Sequence, residues 1–208
     1  MTIDTIVVHH SGAIGNNDLA SSRHLTVDDI DSYHKSKWNF PSLYMKKGKG
    51  PYYVGYNVVY DPKTRQFTQT RAIGEETIHT KGLNYTSFGL CIIGNYTMGV
   101  DAMGATIEDD ISGYLDDLIN GNRRGLVVAP NTKLSLSVSR IYPHRAFSQT
   151  QCYGSSLSNN WARDCVTKVT YSRIIQQLLS IYGNLQSLLN TKHLGGVDEE
   201  CTGGIEKV

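Results

Sequence analysis

Short apolar runs and alternating positions in the first third of the chain predict a strand, a helix and a hairpin. Residues 5–8 form a β-branched, apolar run that ends at His9 and is typical of a buried central strand. Apolar side chains then recur at helical spacing behind an N-cap threonine, which predicts a helix over 26–37. Residues 56–60 and 66–70 flank a proline-containing turn and predict a β-hairpin.

The second third of the chain continues the alternation of strands and helices. Residues 88–93 predict another buried strand, and apolar positions at helical spacing predict a helix over 106–120. Residues 134–142 alternate between apolar and polar and predict a half-buried strand that leads to His144. The proline- and glycine-containing stretch 40–54 predicts a loop. This order of elements predicts an α/β fold with a mixed central β-sheet flanked by helices.

The C-terminal part differs in pattern. Over residues 171–189, six apolar positions are spaced alternately four and three apart, as on one face of a helix. Two interpretations remain open: a helix packed on its own domain, or a helix that binds a partner or through which the chain forms a homo-oligomer. Glycines and acidic residues after Lys192 predict a flexible end. We therefore expect a catalytic domain over 1–166 and a C-terminal helix with a flexible tail over 167–208.

Composition narrows the possible classes of function. The 208 residues are 39% hydrophobic and 19% charged, with a net charge of +1, which favours an ordinary globular protein without a nucleic-acid partner. No apolar run approaches the ~20 residues of a membrane-spanning helix, so we expect no membrane insertion. The first residues lack the pattern of a signal peptide, so we expect synthesis in a cytoplasm.

Three side chains suggest metal chemistry. His9 ends the first predicted strand, and His144 lies eight positions before Cys152 on a polar, turn-prone segment. Two imidazoles and a thiolate can bind one zinc ion and leave one coordination position open, as in catalytic zinc sites. A structural zinc site would need a fourth ligand, and Cys91, within an apolar run, is a poor candidate.

Four ordered motifs extend this hypothesis over about residues 3–165. The sequence resembles the zinc-dependent N-acetylmuramoyl-L-alanine amidases, a family that includes phage lysozyme-type endolysins and peptidoglycan recognition proteins. The matching segments are Ile6-Val7-Val8-His9-His10-Ser11, Tyr33-His34-Lys35 before Gly55-Tyr56-Asn57-Val58-Val59, His79-Thr80-Lys81-Gly82-Leu83-Asn84 with Ser87-Phe88-Gly89-Leu90, and His144-Arg145 with Thr150-Gln151-Cys152.

The resemblance implies a role for each matching residue. His9, His144 and Cys152 fall on the zinc-ligand positions; strand alternation allows only one of His9 and His10 to coordinate, and the family pattern selects His9. Tyr56 and Thr150 fall on the catalytic positions, where they would stabilise an oxyanion. Threonine is too weak an acid to act as a conventional general base, so the proton acceptor stays unassigned. The substrate-contacting positions are occupied by His34, His79 and Asn84. The loop 40–54 is longer than the corresponding link in compact phage members of the family, so we expect it to border the substrate groove.

The resemblance also implies the reaction. One Zn²⁺ per chain would activate water for hydrolysis of the amide bond between N-acetylmuramic acid and L-alanine in bacterial peptidoglycan. A non-catalytic peptidoglycan-binding module of the same fold is the alternative, although such modules typically lack the cysteine ligand. We expect a phage or prophage endolysin that accumulates in the host cytoplasm and acts on the cell wall after release.

Overall fold

The apolar run near the N-terminus forms a buried inner strand of a mixed sheet. The computed structural model describes residues 1–12, 19–46, 48, 50–123 and 125–194. Its strands are β1 (Thr2–Ile3), β2 (Thr5–His10), β3 (Met45–Lys46), β4 (Gly50–Pro51), β5 (Val58–Asp61), β6 (Gln66–Gln69), β7 (Ser87–Ile92), β8 (Lys133–Leu134) and β9 (Ile141–Pro143). Five of these strands form one sheet in the order β6-β5-β7-β2-β9, within which only the β5–β6 pair, the predicted hairpin, is antiparallel. Two short pairs, β1 with β8 and β3 with β4, lie outside this sheet.

Three helices accompany the sheet. They are α1 (Val27–Trp38), α2 (Ala105–Ile119) and α3 (Trp161–Leu194). Thr26 caps α1 through a capping box with Asp29, as its position before the apolar repeat predicts. None of the described helices combines the length and apolarity needed to cross a membrane. The predicted α/β class, a mixed sheet with helices, is confirmed.

Alternate residues of the central strands supply two separate apolar clusters. Leu90 and Ile92 of β7 pack in the larger cluster with α2, whereas Cys91 packs with Ile30 of α1 in the smaller one. His9 lies in register with Cys91 on the adjacent strand and therefore points to the same side of the sheet. The face of the sheet that packs against α1 therefore continues to His9, near the carboxyl end of β2.

The predicted strand over 134–142 is wrong in its middle. Leu134 ends β8, a 3₁₀ turn occupies Val138–Arg140, and β9 begins only at Ile141. The two ends pair with different strands, since β8 pairs with β1 and β9 with β2. The alternating pattern does not show this change of partner, because it depends on tertiary pairing.

Helix α3 begins ten residues before the predicted 171. Its first turns carry buried Trp161, Cys165 and Val166, which belong to the larger apolar cluster. The chain divides into two units, Met1–Val169 and Thr170–Val208. Of the second unit the structure describes the helix as far as Leu194, so the predicted flexible end lies outside the described residues.

A buried arginine holds the ends of the loop 40–54 together. Arg71 Nε donates to the carbonyl oxygen of Val54 at 2.6 Å, and another guanidinium nitrogen donates to that of Phe40 at 2.5 Å. Glu75 neutralises the guanidinium at 3.0 Å and also accepts from the Leu43 amide. None of the described residues of this loop lines the cavity that contains His9, in contrast to our expectation.

Candidate metal centre

The end of β2 places His9 in a buried position at the bottom of an open cavity. The cavity has a volume of ≈ 490 Å³, and His144, Cys152, Tyr56 and Thr150 also line it. His9 is 1% exposed, so its ring is held among neighbouring side chains. His10 points to the other side of the strand, where its Nδ1 accepts a hydrogen bond from the Tyr96 amide at 3.1 Å.

The segment after β9 folds back so that His144 and Cys152 meet. The Arg145 amide donates to the carbonyl oxygen of Cys152 at 2.9 Å and closes the loop. The Arg145 guanidinium then donates to Asn159 Oδ1 at 2.6 Å and to the carbonyl oxygen of Gly154 at 2.8 Å. Arg145 therefore fixes the return of the chain that the eight-residue spacing requires.

The structure brings the three predicted ligands together. One potential ligand atom from each of His9, His144 and Cys152 lies within 4.8 Å of the others, and this is the one such cluster of three or more donors among the described residues. His9 Nδ1 lies 3.6 Å from Cys152 Sγ, and the rings of His9 and His144 have centroids 4.5 Å apart. The amide of His10 lies 3.4 Å from Cys152 Sγ and can donate to a thiolate. This donor set suits zinc.

A chain of hydrogen bonds sets the orientation of His9. His79 Nδ1 lies 3.0 Å from His9 Nε2, and His79 Nε2 lies 3.3 Å from Ser87 Oγ. The Ser87 hydroxyl in turn donates to the carbonyl oxygen of Leu83 at 2.7 Å. If His9 Nδ1 is unprotonated, each contact in this chain holds one proton: His9 Nε2–H donates to His79 Nδ1, and His79 Nε2–H donates to Ser87 Oγ. The opposite tautomers would leave the contact between His79 Nε2 and Ser87 Oγ without a proton, because the Ser87 hydroxyl hydrogen is used on Leu83. The network therefore favours the His9 tautomer whose Nδ1 lone pair faces Cys152.

Gly89 makes room for this network. A Cβ atom at Gly89 would lie 2.6 Å from Cδ2 and 2.8 Å from Nε2 of His79. A glycine inside an apolar strand is the sequence signal for such a close approach. Trp38, at the end of α1, was also missed as a lining residue of the cavity.

Burial keeps the imidazoles neutral. Desolvation lowers the pKa of His9 well below its ordinary value of 6.5, and it lowers that of His144 as well. It also lowers the pKa of His79 to about 3. Burial raises the pKa of the Cys152 thiol to about 12 in the absence of a metal. Two neutral imidazoles are ready to coordinate, whereas the thiol must lose its proton when a cation binds.

Tyr56 and Thr150 line the same cavity as His9, His144 and Cys152. The Tyr56 ring has its centroid 5.0 Å from that of His9. Burial and the nearby thiols of Cys91 and Cys152 raise the pKa of Tyr56 well above 10, so the phenol keeps its proton at neutral pH. Thr150 Oγ1 accepts a hydrogen bond from the Cys152 amide at 3.3 Å, which aligns the hydroxyl beside the thiol. Thr150 keeps its own hydroxyl hydrogen for donation, whereas the Tyr56 phenol lies within hydrogen-bonding reach of the Cys91 thiol.

His34 and Asn84 are tied into the protein by backbone contacts. His34 Nδ1 accepts from the Gly55 amide at 3.0 Å, and His34 lines a second cavity of ≈ 220 Å³ that shares Tyr56 and Trp38 with the first. Asn84 Oδ1 accepts from the amides of His79 and Thr80, while Asn84 also lines the first cavity. His34 therefore lines the cavity next to the one that contains His9, His144 and Cys152. Asn84 stabilises the loop that carries His79.

Known structures share this architecture. The N-acetylmuramoyl-L-alanine amidase LysC from Clostridium intestinale URNW superimposes with a TM-score of 0.50 at 20% identity, covering 81% of this chain and 85% of that protein. The Ph2119 endolysin from the Thermus scotoductus MAT2119 bacteriophage Ph2119 gives a TM-score of 0.51 at 17% identity, covering 80% and 86%. The chain therefore has the fold of these two proteins. No family model and no curated protein sequence matches the chain.

Proposed function

We propose that this protein is a zinc-dependent N-acetylmuramoyl-L-alanine amidase. Its substrate would be the amide bond between N-acetylmuramic acid and L-alanine in bacterial peptidoglycan. The observation that carries the proposal is the convergence of His9, His144 and Cys152 in the wall of an open cavity. The amidase fold around that cavity supports the choice of substrate.

His9, His144 and Cys152 would hold one zinc ion per chain. When bound, zinc supplies Lewis-acid activation of water and of the scissile carbonyl. The three donors leave a coordination position for this chemistry, and a structural zinc site would need a fourth. Cys91 is not part of the donor cluster, and its fully buried thiol lies near the Tyr56 phenol instead. The open position therefore favours a catalytic site.

Tyr56 and Thr150 would act on the carbonyl of the substrate. The protonated Tyr56 phenol can donate to the negative charge that develops on the amide oxygen during hydrolysis. Thr150 would be a second donor, with its oxygen held by the Cys152 amide. No carboxylate is among the described residues that line the cavity, so neither Asp nor Glu is available there as a general base.

His34, His79 and Asn84 would contact the glycan or the peptide stem. The second cavity, next to Tyr56, offers His34 a place to bind the part of the substrate beyond the scissile bond. His79 reaches the first cavity but also holds His9, so its substitution would affect both the metal and the substrate.

We further propose that the protein is a phage or prophage endolysin. It would accumulate in the host cytoplasm and reach the peptidoglycan after the membrane is breached. The shared fold with the Ph2119 endolysin supports this assignment.

Mass spectrometry of digested peptidoglycan tests the reaction. The wild-type protein should release peptides that carry a new L-alanine amino terminus, and a chelator or Cys152→Ala should abolish their release. Cys165→Ala is the matched control, because Cys165 is also a buried free cysteine but does not line the cavity. Peptides with another new terminus would contradict the proposal. Retained binding to peptidoglycan without any cleavage by the zinc-loaded protein would favour the non-catalytic binding module.

A further inference from the structure

The C-terminal half of α3 exposes a continuous set of large apolar side chains. Ten of them between residues 171 and 189 are 42% to 64% exposed. Exposed apolar side chains scattered singly are ordinary, but a contiguous set of this size marks an interaction surface. The ten residues, which we call the tail seam, are Tyr171, Ile174, Ile175, Leu178, Leu179, Ile181, Tyr182, Leu185, Leu188 and Leu189.

The tail seam has the spacing of a helix that packs against other helices. Tyr171, Ile175, Leu178, Tyr182, Leu185 and Leu189 follow the alternating four-three spacing of the a and d positions of a heptad. A third row, Ile174, Ile181 and Leu188, repeats every seven residues beside them. Three apolar rows form the wide face that a helix presents inside a bundle.

The face opposite the tail seam is polar and carries one charged residue. Arg173, Ser180 and Ser187 lie on this face at seven-residue intervals, and Arg173 is the one charged residue in the sequence from 171 to 191. Helices that bind lipid surfaces generally place several Lys and Arg residues on their polar face, and this segment has only Arg173. Identical helices can meet along such a seam without repulsion between like charges, which would otherwise oppose self-association.

The exposed area is sufficient for a stable contact. Each of the ten side chains exposes on the order of 100 Å² of mostly apolar surface, so the tail seam offers roughly 1,000 Å², against ~800 Å² per partner in a standard interface. The nineteen residues of 171–189 extend over about 28 Å as a helix, enough for several layers of side chains.

We propose that the tail seam binds the tail seam of a second copy of this chain and assembles the protein into a homo-oligomer. If the proposed function is correct, such an assembly would present several catalytic cavities to one insoluble cell wall and strengthen binding by multivalency. Self-association itself does not depend on that function, so sedimentation tests it separately.

Sedimentation of the full-length protein gives the direct test. At 1 to 200 μM, we expect a mass that is a multiple of 23.1 kDa and that falls toward 23.1 kDa on dilution. The double variant Leu178→Glu/Leu185→Glu should raise the dissociation constant of the assembly at least 100-fold. The matched variant Ser180→Glu/Ser187→Glu adds the same charges on the opposite face and should change the dissociation constant less than threefold.

Three outcomes would overturn the proposal. One is a wild-type protein that is monomeric at 200 μM with its helical circular dichroism intact. The second is equal dissociation of the two charge variants, which would show that the tail seam is not the contact. The third is a monomer that floats with neutral phosphatidylcholine vesicles, which would identify a lipid surface as the partner. Hydrolysis of a soluble muropeptide by all variants at the wild-type rate would show that the catalytic unit remains folded.

Discussion

His79 holds His9 through a contact of 3.0 Å between His79 Nδ1 and His9 Nε2. The contact leaves the other nitrogen of His9 facing Cys152 Sγ, 3.6 Å away. A residue that the sequence resemblance places in substrate binding is therefore also positioned to orient a proposed metal ligand. Partners of this kind fix the tautomer and the ring orientation of metal-binding histidines.

We predict that His79→Ala weakens zinc binding by about 10- to 100-fold, because His9 loses its hydrogen-bond partner. Competition with a chromophoric chelator at pH 7.5 measures this affinity independently of activity. His24→Ala, at an exposed histidine outside the cavity, should leave the affinity unchanged. An unchanged zinc affinity in His79→Ala together with a raised KM would restrict His79 to substrate contact.

Gly89→Ala should have a related effect. The added methyl group would lie 2.6 Å from the His79 ring, so the ring must move away from His9 or the strand must shift. We expect weaker zinc binding and a loss of about 1–3 kcal/mol in the free energy of unfolding, as for overpacked cores. Chelator competition and denaturant unfolding measure the two effects. Gly113→Ala is the control, since a Cβ there meets nothing within 4 Å; equal behaviour of the two variants would refute the close approach.

Zinc binding should release about one proton per chain at pH 7.5, because Cys152 is the one proposed ligand that is protonated there. Burial raises its thiol pKa to about 12, whereas His9 and His144 have lowered pKa values and are already neutral. Apparent affinity should rise about tenfold per pH unit above neutrality. Calorimetry in buffers of different ionisation enthalpy counts the protons. Release of no proton would show that Cys152 is already ionised in the metal-free protein or does not bind the metal.

The metal-free protein should lose stability as the pH falls below 6.5. Burial lowers the pKa of His10 and of His34 to about 4, so the unfolded chain takes up protons first. Their contribution to stability is complete above pH 6.5 and is lost as the pH falls toward 4, at up to about 1.4 kcal/mol per pH unit for each group. Denaturant unfolding at pH 7.5, 5.5 and 4.5 measures the slope. His34→Gln should reduce the slope and His24→Gln should not; equal slopes in both variants would assign the acid sensitivity elsewhere.

Removing either cavity hydroxyl should slow hydrolysis without removing zinc. We expect Tyr56→Phe to lower kcat by about 10²- to 10³-fold and Thr150→Val to lower it in the same direction, because each loses a donor to the developing oxyanion. Thr150→Ser, which keeps the hydroxyl, should retain most of the activity. Turnover of a soluble muropeptide and zinc content per chain are the two measurements. Full activity in Tyr56→Phe would remove Tyr56 from the catalytic machinery.

Local patterns correctly predict the elements whose burial follows from residues that are close in sequence. The apolar run at 5–8 forms β2, and the capped repeat after Thr26 forms α1. The strand predicted over 134–142 and the start of α3 failed for a common reason. In each case contacts with residues distant in sequence decide the conformation. Residues 134–142 pair with β1 and β2, and the start of α3 packs in the larger apolar cluster.

The loop 40–54 shows the same dependence on distant residues. Its composition predicts a loop, but nothing local indicates that Arg71 ties its two ends together. A buried guanidinium satisfies backbone carbonyl groups that lie fourteen positions apart in the chain, and this relationship is visible only after folding.

The candidate site also combines features that local sequence predicts with features that depend on distant residues. Residue type and local periodicity are sufficient to predict the candidate ligands, which are two imidazoles and one thiol, and the strand ends that carry His9 and His144. Which nitrogen of His9 faces Cys152 depends on His79, seventy positions away, and on the missing side chain of Gly89. Only the packing of β2 beside β7 brings these groups together, since hydrogen-bond partners and close approach are properties of three-dimensional contacts.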